Sequence, residues 1–187
     1  MSKNSLNSHF KGNAYNEKNT KTYIEEIISQ LDLINRAYSK LGFNADYFNE
    51  YTTVNFIGFE YGELSKQKAQ IKVFKDGRSV SNIIHSTYLF FGKRQMYIYN
   101  YVFSTDLKYR TENLVEIFYR GIIAIGVRGG SVGGEDAEKN KFNVSNNYMS
   151  ISYGAEKIEF PIMPDIDMNN ETIFNFRKLI RDKKFLG

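Results

Sequence analysis

Two histidines, no cysteine and no tryptophan in 187 residues leave little with which to do catalytic chemistry. His9 stands in an Asn- and Ser-rich start, and His85 lies in Ile83-Ile-His-Ser-Thr87, which reads as a strand. A nucleophile, its base and an orienting group must converge in space. Ser86, adjacent to His85 on a strand, points to the opposite face. Without cysteine there is no thiolate nucleophile, thiolate zinc site or disulfide framework. Paired carboxylates do acid–base work only when both reach the reacting group, and here Asp and Glu gather in loops and caps. The chain is therefore expected to carry no catalytic residue, no cofactor and no metal, and not to be an enzyme.

Three binding motifs come near and fail. Gly129-Gly-Ser-Val-Gly-Gly134 is glycine-rich like a phosphate loop, but Glu135-Asp136 follows where lysine and a hydroxyl would have to meet phosphate and magnesium. Asp165-Ile-Asp-Met-Asn-Asn-Glu171 opens like a calcium loop yet has Asn170 where glycine is needed and Phe176 where the bidentate glutamate belongs. Those acids suit a helix start instead. Arg120-Gly-Ile-Ile-Ala-Ile125 lacks the aromatics of an RNA-recognition strand. Lys93 and Arg94 beside Tyr97, Tyr99 and Tyr101 leave base stacking as a lesser alternative, a nucleic-acid accessory role. The tyrosines fit better as the inward face of a small sheet.

Charge adds limits. Lys plus Arg number 25 against 21 Asp plus Glu, a net +4 that is mild for an obligate nucleic-acid binder. No apolar run reaches the ~18 residues of a membrane span, and the first residues lack the apolar core of a signal peptide. A cytoplasmic protein without a transmembrane segment is expected.

The elements follow from periodicity. Residues 1–19 are polar and read as a flexible tail. Tyr23, Ile24, Ile27, Ile28, Leu31, Ile34, Ala37, Tyr38 and Leu41 recur at three- and four-residue spacing, so residues 20–42 form an amphipathic helix. Thr20 or Thr22 caps its start and Gly42 ends it. Its apolar stripe must pack on the rest of the chain or on a second copy. Residues 43–66 connect, with a possible strand at Tyr51–Ile57 ended by Gly58 and Gly62. Strands follow at 70–75, 80–91 and 95–103, the last with Tyr97, Tyr99, Tyr101 and Phe103 on one face and Met96, Ile98 and Val102 on the other. Leu114–Val127 reads as one bent strand or two, kinked at Gly121. Residues 128–140 read as a mobile loop, and Arg128, Gly129, Gly130, Gly133, Gly134 and Glu135 as a candidate partner-binding loop. A hairpin over 148–160 and a helix over 169–184 complete the chain.

Two segments resemble bacterial pleckstrin-homology-like and GRAM-like domains. Phe90-Phe-Gly-Lys-Arg-Gln-Met-Tyr-Ile-Tyr99 resembles their strand that follows a basic turn. Ile117-Phe-Tyr-Arg-Gly-Ile-Ile-Ala-Ile125 resembles their Ile-Pro-Tyr strand, with Phe118 where proline is common. The resemblance implies an α+β fold over residues 67–187: an antiparallel, strongly bent sheet or partly open barrel whose open corner is covered by the C-terminal helix. It also implies binding rather than catalysis. The expected function is a non-catalytic interaction module that binds a protein partner or forms a homodimer. Anionic membrane lipid is the alternative. Lipid-binding members use a basic turn, and here that turn corresponds to Lys66, Lys68, Lys72, Lys75 and Arg78.

Overall fold

The computed structural model describes residues 10, 12, 14–42, 52–65, 67–135, 141–163 and 170–186. The first surprise is at the N-terminus, where the single expected helix is two. Helix α1 (Glu17–Ser29) starts three residues earlier than expected because Asn16, not Thr20, caps it: the Asn16 side chain accepts the Asn19 N–H at 2.9 Å. Thr20 is instead buried inside the helix. The chain then breaks at Asp32, whose φ of 47° is left-handed, and restarts as α2 (Leu33–Leu41). Asp tolerates that conformation better than most residues, and its carboxylate accepts from Asn35 Nδ2 at 2.8 Å. The break rotates the apolar stripe. Leu33, Ala37 and Tyr38 become buried while Ile34, which a continuous helix would place inside, is 41 % exposed. Gly42 ends α2 with φ 67°, as its position predicts.

Part of the expected tail is structured. Phe10 is buried between Tyr23 (5.1 Å between ring centroids) and Phe74 (6.2 Å), and its carbonyl accepts a hydrogen bond from Lys72 Nζ. Residues 1–9, with His9, lie outside the described residues, as do 43–51.

Strand β1 (Thr52–Glu60) pairs antiparallel with β6 (Ile83–Phe91), so the second half of the connecting segment does join the sheet. Between them lie two small hairpins, β2 (Glu63–Leu64) with β3 (Gln67–Lys68) and β4 (Ile71–Val73) with β5 (Ser79–Ser81). Gly77 turns the second with φ 85°. Next come β7 (Gln95–Ser104) and β8 (Arg110–Phe118), giving a four-stranded sheet in the order β1-β6-β7-β8. A 3-10 turn (Tyr119–Gly121) breaks the stretch expected as one or two strands. Then β9 (Ile122–Glu135), β10 (Lys141–Tyr153) and β11 (Glu156–Ile162) form a three-stranded sheet in the order β11-β10-β9, and helix α3 (Asn170–Leu186) ends the chain. The molecule is thus α+β with antiparallel sheets and a C-terminal helix, and among the described residues the strands do not close into a barrel.

Gly58 does not end β1, contrary to the sequence reading. It lets β1 cross β11: a Cβ there would lie 2.6 Å from Pro161 Cβ and 2.8 Å from its carbonyl oxygen. The neighbouring Met163 N–H donates to Ile57 O at 3.1 Å, tying the two sheets at this corner.

The four-stranded sheet is a wall between two cores. Strict alternation in β6 and β7 sends Ile84, Tyr88, Phe90, Tyr99, Tyr101 and Phe103 to one side, where they meet Tyr23, Ile24, Leu33, Ala37 and Tyr38 of the helices. On the other side Phe56, Leu89, Phe91, Met96 and Ile98 meet Met149, Ile151 and Phe160 of the second sheet. Helix α3 closes that core: Phe176 packs edge-on against Phe56 (5.6 Å) and Phe91 (6.1 Å), beside Ile173 and Ile180. The apolar stripe of α1 and α2 is therefore spent on the chain's own sheet. Polar contacts fix this docking. Glu112 of β8 accepts from Tyr99 Oη at 2.7 Å and faces Lys40 Nζ at 3.2 Å and Arg36 at 3.7 Å. Burial raises the Glu112 carboxyl, but the bonds from Tyr99 and Lys40 outweigh it and leave its pKa lowered.

Candidate interaction site

Residues 128–135, expected as a mobile loop, are strand: they form the distal half of β9, in register with β10 from Glu135↔Lys141 through Arg128↔Tyr148. Glycine carries no side-chain pattern, so the run looked like a loop. The partner strand supplies what it lacks. The Phe142 ring lies over Gly134, where a Cβ would come within 2.8 Å of it, and the Tyr153 ring lies over Gly121 at 2.3 Å. Cross-strand aromatic cover of this kind stabilises glycine positions in sheets. Val144 is fully buried, with Val132 and Phe142 packed on the same core, and Asn146 Nδ2 donates to Phe59 O at 3.2 Å.

One face of the ribbon is pinned by charge. Arg128 forms a two-pronged pair with Glu159 (Nε–Oε1 2.6 Å, Nη2–Oε2 2.9 Å) and lies 5.0 Å from the Tyr148 ring centroid. Lys157 Nζ sits 2.7 Å from the same carboxylate. The Arg128 guanidinium, and after it Lys157, hold the Glu159 carboxyl down to about 2. This arrangement leaves β9, 14 residues long, at the end of its sheet, paired among the described residues only through β10. Natural edge strands are usually short, charged or covered. This one is long, with Gly129 and Gly133 exposed and Gly130 half-buried beside Arg128 and Tyr148. Five of the six residues expected as a partner-binding loop thus come together on one exposed edge, and the side chain of Glu135 lies outside the described residues.

The candidate anionic-ligand turn fares differently. Lys66 lies outside the described residues. Lys68 sits opposite Glu63 in β3. Lys72 is drawn onto Phe10 O and the Phe74 ring (5.8 Å). Arg78 is bound to Asp76 at 2.7 Å and stacks on Tyr15 at 4.1 Å. Lys75 is exposed at the turn. The cations do not converge, and two of them hold the hairpin and the N-terminal segment in place.

His85 is buried with both ring nitrogens engaged: Nδ1 lies 2.9 Å from Glu60 Oε1 and Nε2 3.1 Å from Asn100 Oδ1, to which Thr87 Oγ1 also donates at 2.8 Å. Ser86 faces the other way, its Oγ 3.3 Å from Asn55 Oδ1. His85 and Asn100 line an open cleft together with Val102, Thr111 and Glu159. Tyr99 and Tyr101 are buried and Tyr97 half-buried, while Lys93 and Arg94 are exposed in the β6–β7 turn. The stacking face considered for bases is therefore covered by α1 and α2. The residues of the calcium-loop-like segment, 165–169, lie outside the described residues. Among the described residues no helix is long and apolar enough to cross a membrane. No family model matches the chain, and no match was found among curated proteins or solved structures.

Proposed function

We propose that the chain is a non-catalytic interaction module of pleckstrin-homology-like build that takes an extended segment of a protein partner onto the outer edge of β9. Support for the build comes from element order: a meander of four long strands, a second meander of three, and a C-terminal helix over one open end. The motif resemblances supply the rest of the reading, with Thr52–Glu60 added as first strand ahead of residue 67 and the pair of small hairpins taken as the first inter-strand turn. The observation that carries the function is the long, glycine-rich outer edge of β9, which pairs with no strand among the described residues. An added strand binds there through main-chain hydrogen bonds, and side chains on alternate positions supply selectivity.

The same edge serves a heterologous partner or a second copy of the chain, since two β9 edges can pair antiparallel. The test is a native pull-down and sedimentation velocity with wild type and a Gly130→Lys/Gly133→Lys variant. Those positions have room for a side chain, with nearest atoms at 3.9 and 3.6 Å, and lysine on an edge discourages strand addition. Loss of a stoichiometric partner, or of dimer, with an unchanged thermal melt is the expected result. Equal association by both proteins would remove the edge from consideration. Turnover in a hydrolase and nucleotide screen that one point mutation abolishes would remove the non-catalytic reading.

A further inference from the structure

A second surface, remote from the predicted lysine turn, gathers unneutralised positive charge. Arg94 in the β6–β7 turn, Arg120 in the 3-10 turn, and Lys183 and Lys184 near the end of α3 line one cleft of about 290 Å³ with Phe118 and Tyr119. Three distant stretches of sequence are brought together there by hydrogen bonds to backbone carbonyls. Tyr119 N–H donates to Arg94 O at 3.1 Å, its hydroxyl donates to Gly92 O at 3.1 Å, and Lys184 Nζ donates to Ile122 O at 2.8 Å. Lys93 stands beside Arg94, exposed.

None of these cations lies within ion-pairing distance of a carboxylate among the described residues. By contrast Arg36, Lys40, Arg128 and Lys157 each face one. Asp182 and Glu116 are the nearest acids in sequence, and neither is paired to the cleft. Convergent cations without counter-charges raise the local potential and attract an anion.

The rim of the cleft distinguishes between anions. Phe118 is 41 % exposed and lies under the Arg120 guanidinium at 5.9 Å. Phe185, next to Lys184, is 83 % exposed, and Ile123, next to the carbonyl that Lys184 holds, is 70 % exposed. A small soluble anion gains nothing from an apolar rim. A nucleic acid strand would ask for a groove that tracks its backbone, whereas this is one compact cleft. Cations beside the half-exposed Phe118, with the exposed Phe185 and Ile123 adjoining in the chain, suit a headgroup layer with acyl chains below it.

We propose that this face attaches the protein peripherally to anionic phospholipid, with Lys93, Arg94, Arg120, Lys183 and Lys184 on the phosphates and Phe118, Phe185 and Ile123 entering the interface. The surface is separate from the distal half of β9 and from the Lys68–Arg78 hairpin.

The test is sedimentation of the full chain with phosphatidylserine-containing vesicles and with pure phosphatidylcholine vesicles. Wild type is expected to bind the first and not the second. Each cation near the surface contributes roughly fivefold in partitioning, so Arg94→Gln/Arg120→Gln is expected to weaken binding by roughly 25-fold. Phe185→Ser should weaken it at unchanged charge, and Lys68→Gln/Lys75→Gln should leave it unchanged. All five side chains are exposed, and a circular-dichroism melt checks that each variant folds. Equal binding to both vesicle types, no binding to either, or loss only in the Lys68/Lys75 variant overturns the proposal. So does saturable binding of inorganic phosphate, or of a single-stranded oligonucleotide, through the same arginines without vesicle binding.

Discussion

Replacing Gly58 by alanine tests how the two sheets are joined. A Cβ at Gly58 would sit 2.6, 2.7 and 2.8 Å from Pro161 Cβ, C and O, about 0.8 Å inside ordinary contact at the closest approach. The obstruction is main chain and a proline ring, neither of which can swing aside, so β1 and β11 must separate. Separation also strains the Met163 N–H to Ile57 O bond. Overpacking of a rigid core costs ~1–3 kcal/mol, and the upper end applies here. Against it, alanine restricts the unfolded chain and returns ~0.4–1 kcal/mol. The net expectation is a loss of about 2 kcal/mol. For a chain of this length that lowers Tm by about 4–8 °C. Gly62 is the internal control: nothing lies within 4 Å of its would-be Cβ, so Gly62→Ala should be neutral or slightly stabilising. Urea unfolding followed by circular dichroism, with m compared between variants, reads both. If Gly58→Ala matches Gly62→Ala within ~0.5 kcal/mol, the crossing of β1 over β11 is wrong.

Truncating Phe176 to alanine opens a hole beneath Phe56 and Phe91 and should cost ~3–5 kcal/mol in urea unfolding, whereas Phe174→Ala, at a position 59 % exposed, should cost under ~0.5 kcal/mol. Glu159 is held to about 2 by Arg128 and Lys157, below its unfolded value of about 4.3. Its stabilisation is therefore present above about pH 4.3 and lost as pH falls through about 2. With part of the cluster in solvent it amounts to about 1 kcal/mol, and Glu159→Gln should flatten that part of the acid titration of stability. Burial, only partly offset by the hydrogen bond from Ser79, pushes Tyr61 up to about 12. The unfolded phenol ionises near 10, so stability is full below about pH 10 and falls until about 12. Tyr61→Phe should remove that alkaline loss, at the expense of ~1 kcal/mol at neutral pH for the hydrogen bonds to Ser79.

Much of the fold was legible because strong local signals agree with one another. Strand β7 declares itself through alternating tyrosines after a Gly92-Lys-Arg94 turn, and α3 through Ile173, Phe176 and Ile180 with cations toward its end. What escaped depends on partners far away in sequence. The glycines of β9 become strand because β10 pairs with them and its Phe142 and Tyr148 cover or brace Gly134 and Gly130. The broken helix hides because Leu31, Ile34, Ala37 and Tyr38 keep a helical apolar spacing across Asp32, whose left-handed backbone periodicity does not register. Gly58 looks like a strand stop until Pro161 is beside it. The cleft of Arg94, Arg120 and Lys184 has no local signature, since each basic residue has an ordinary explanation as turn, strand end or helix end. The one available signal was Arg120-Gly121 directly after Phe118-Tyr119, a basic and aromatic cluster at a kink.

A wall buried on both faces has consequences for where the protein can be cut. The motif resemblances begin near residue 67, and a fragment starting there is an obvious candidate for expression. It would lack β1, leaving β6 as a raw edge and Phe56 missing from the inner core. Losing α1 and α2 as well would bare Tyr88, Phe90, Tyr99, Tyr101 and Phe103 as one aromatic sheet face. Such a fragment has the features of an inclusion-body former: sticky on one face and open along one side. The indivisible piece of this chain runs from Phe10 to α3, and its N-terminal helices are the outer half of the domain.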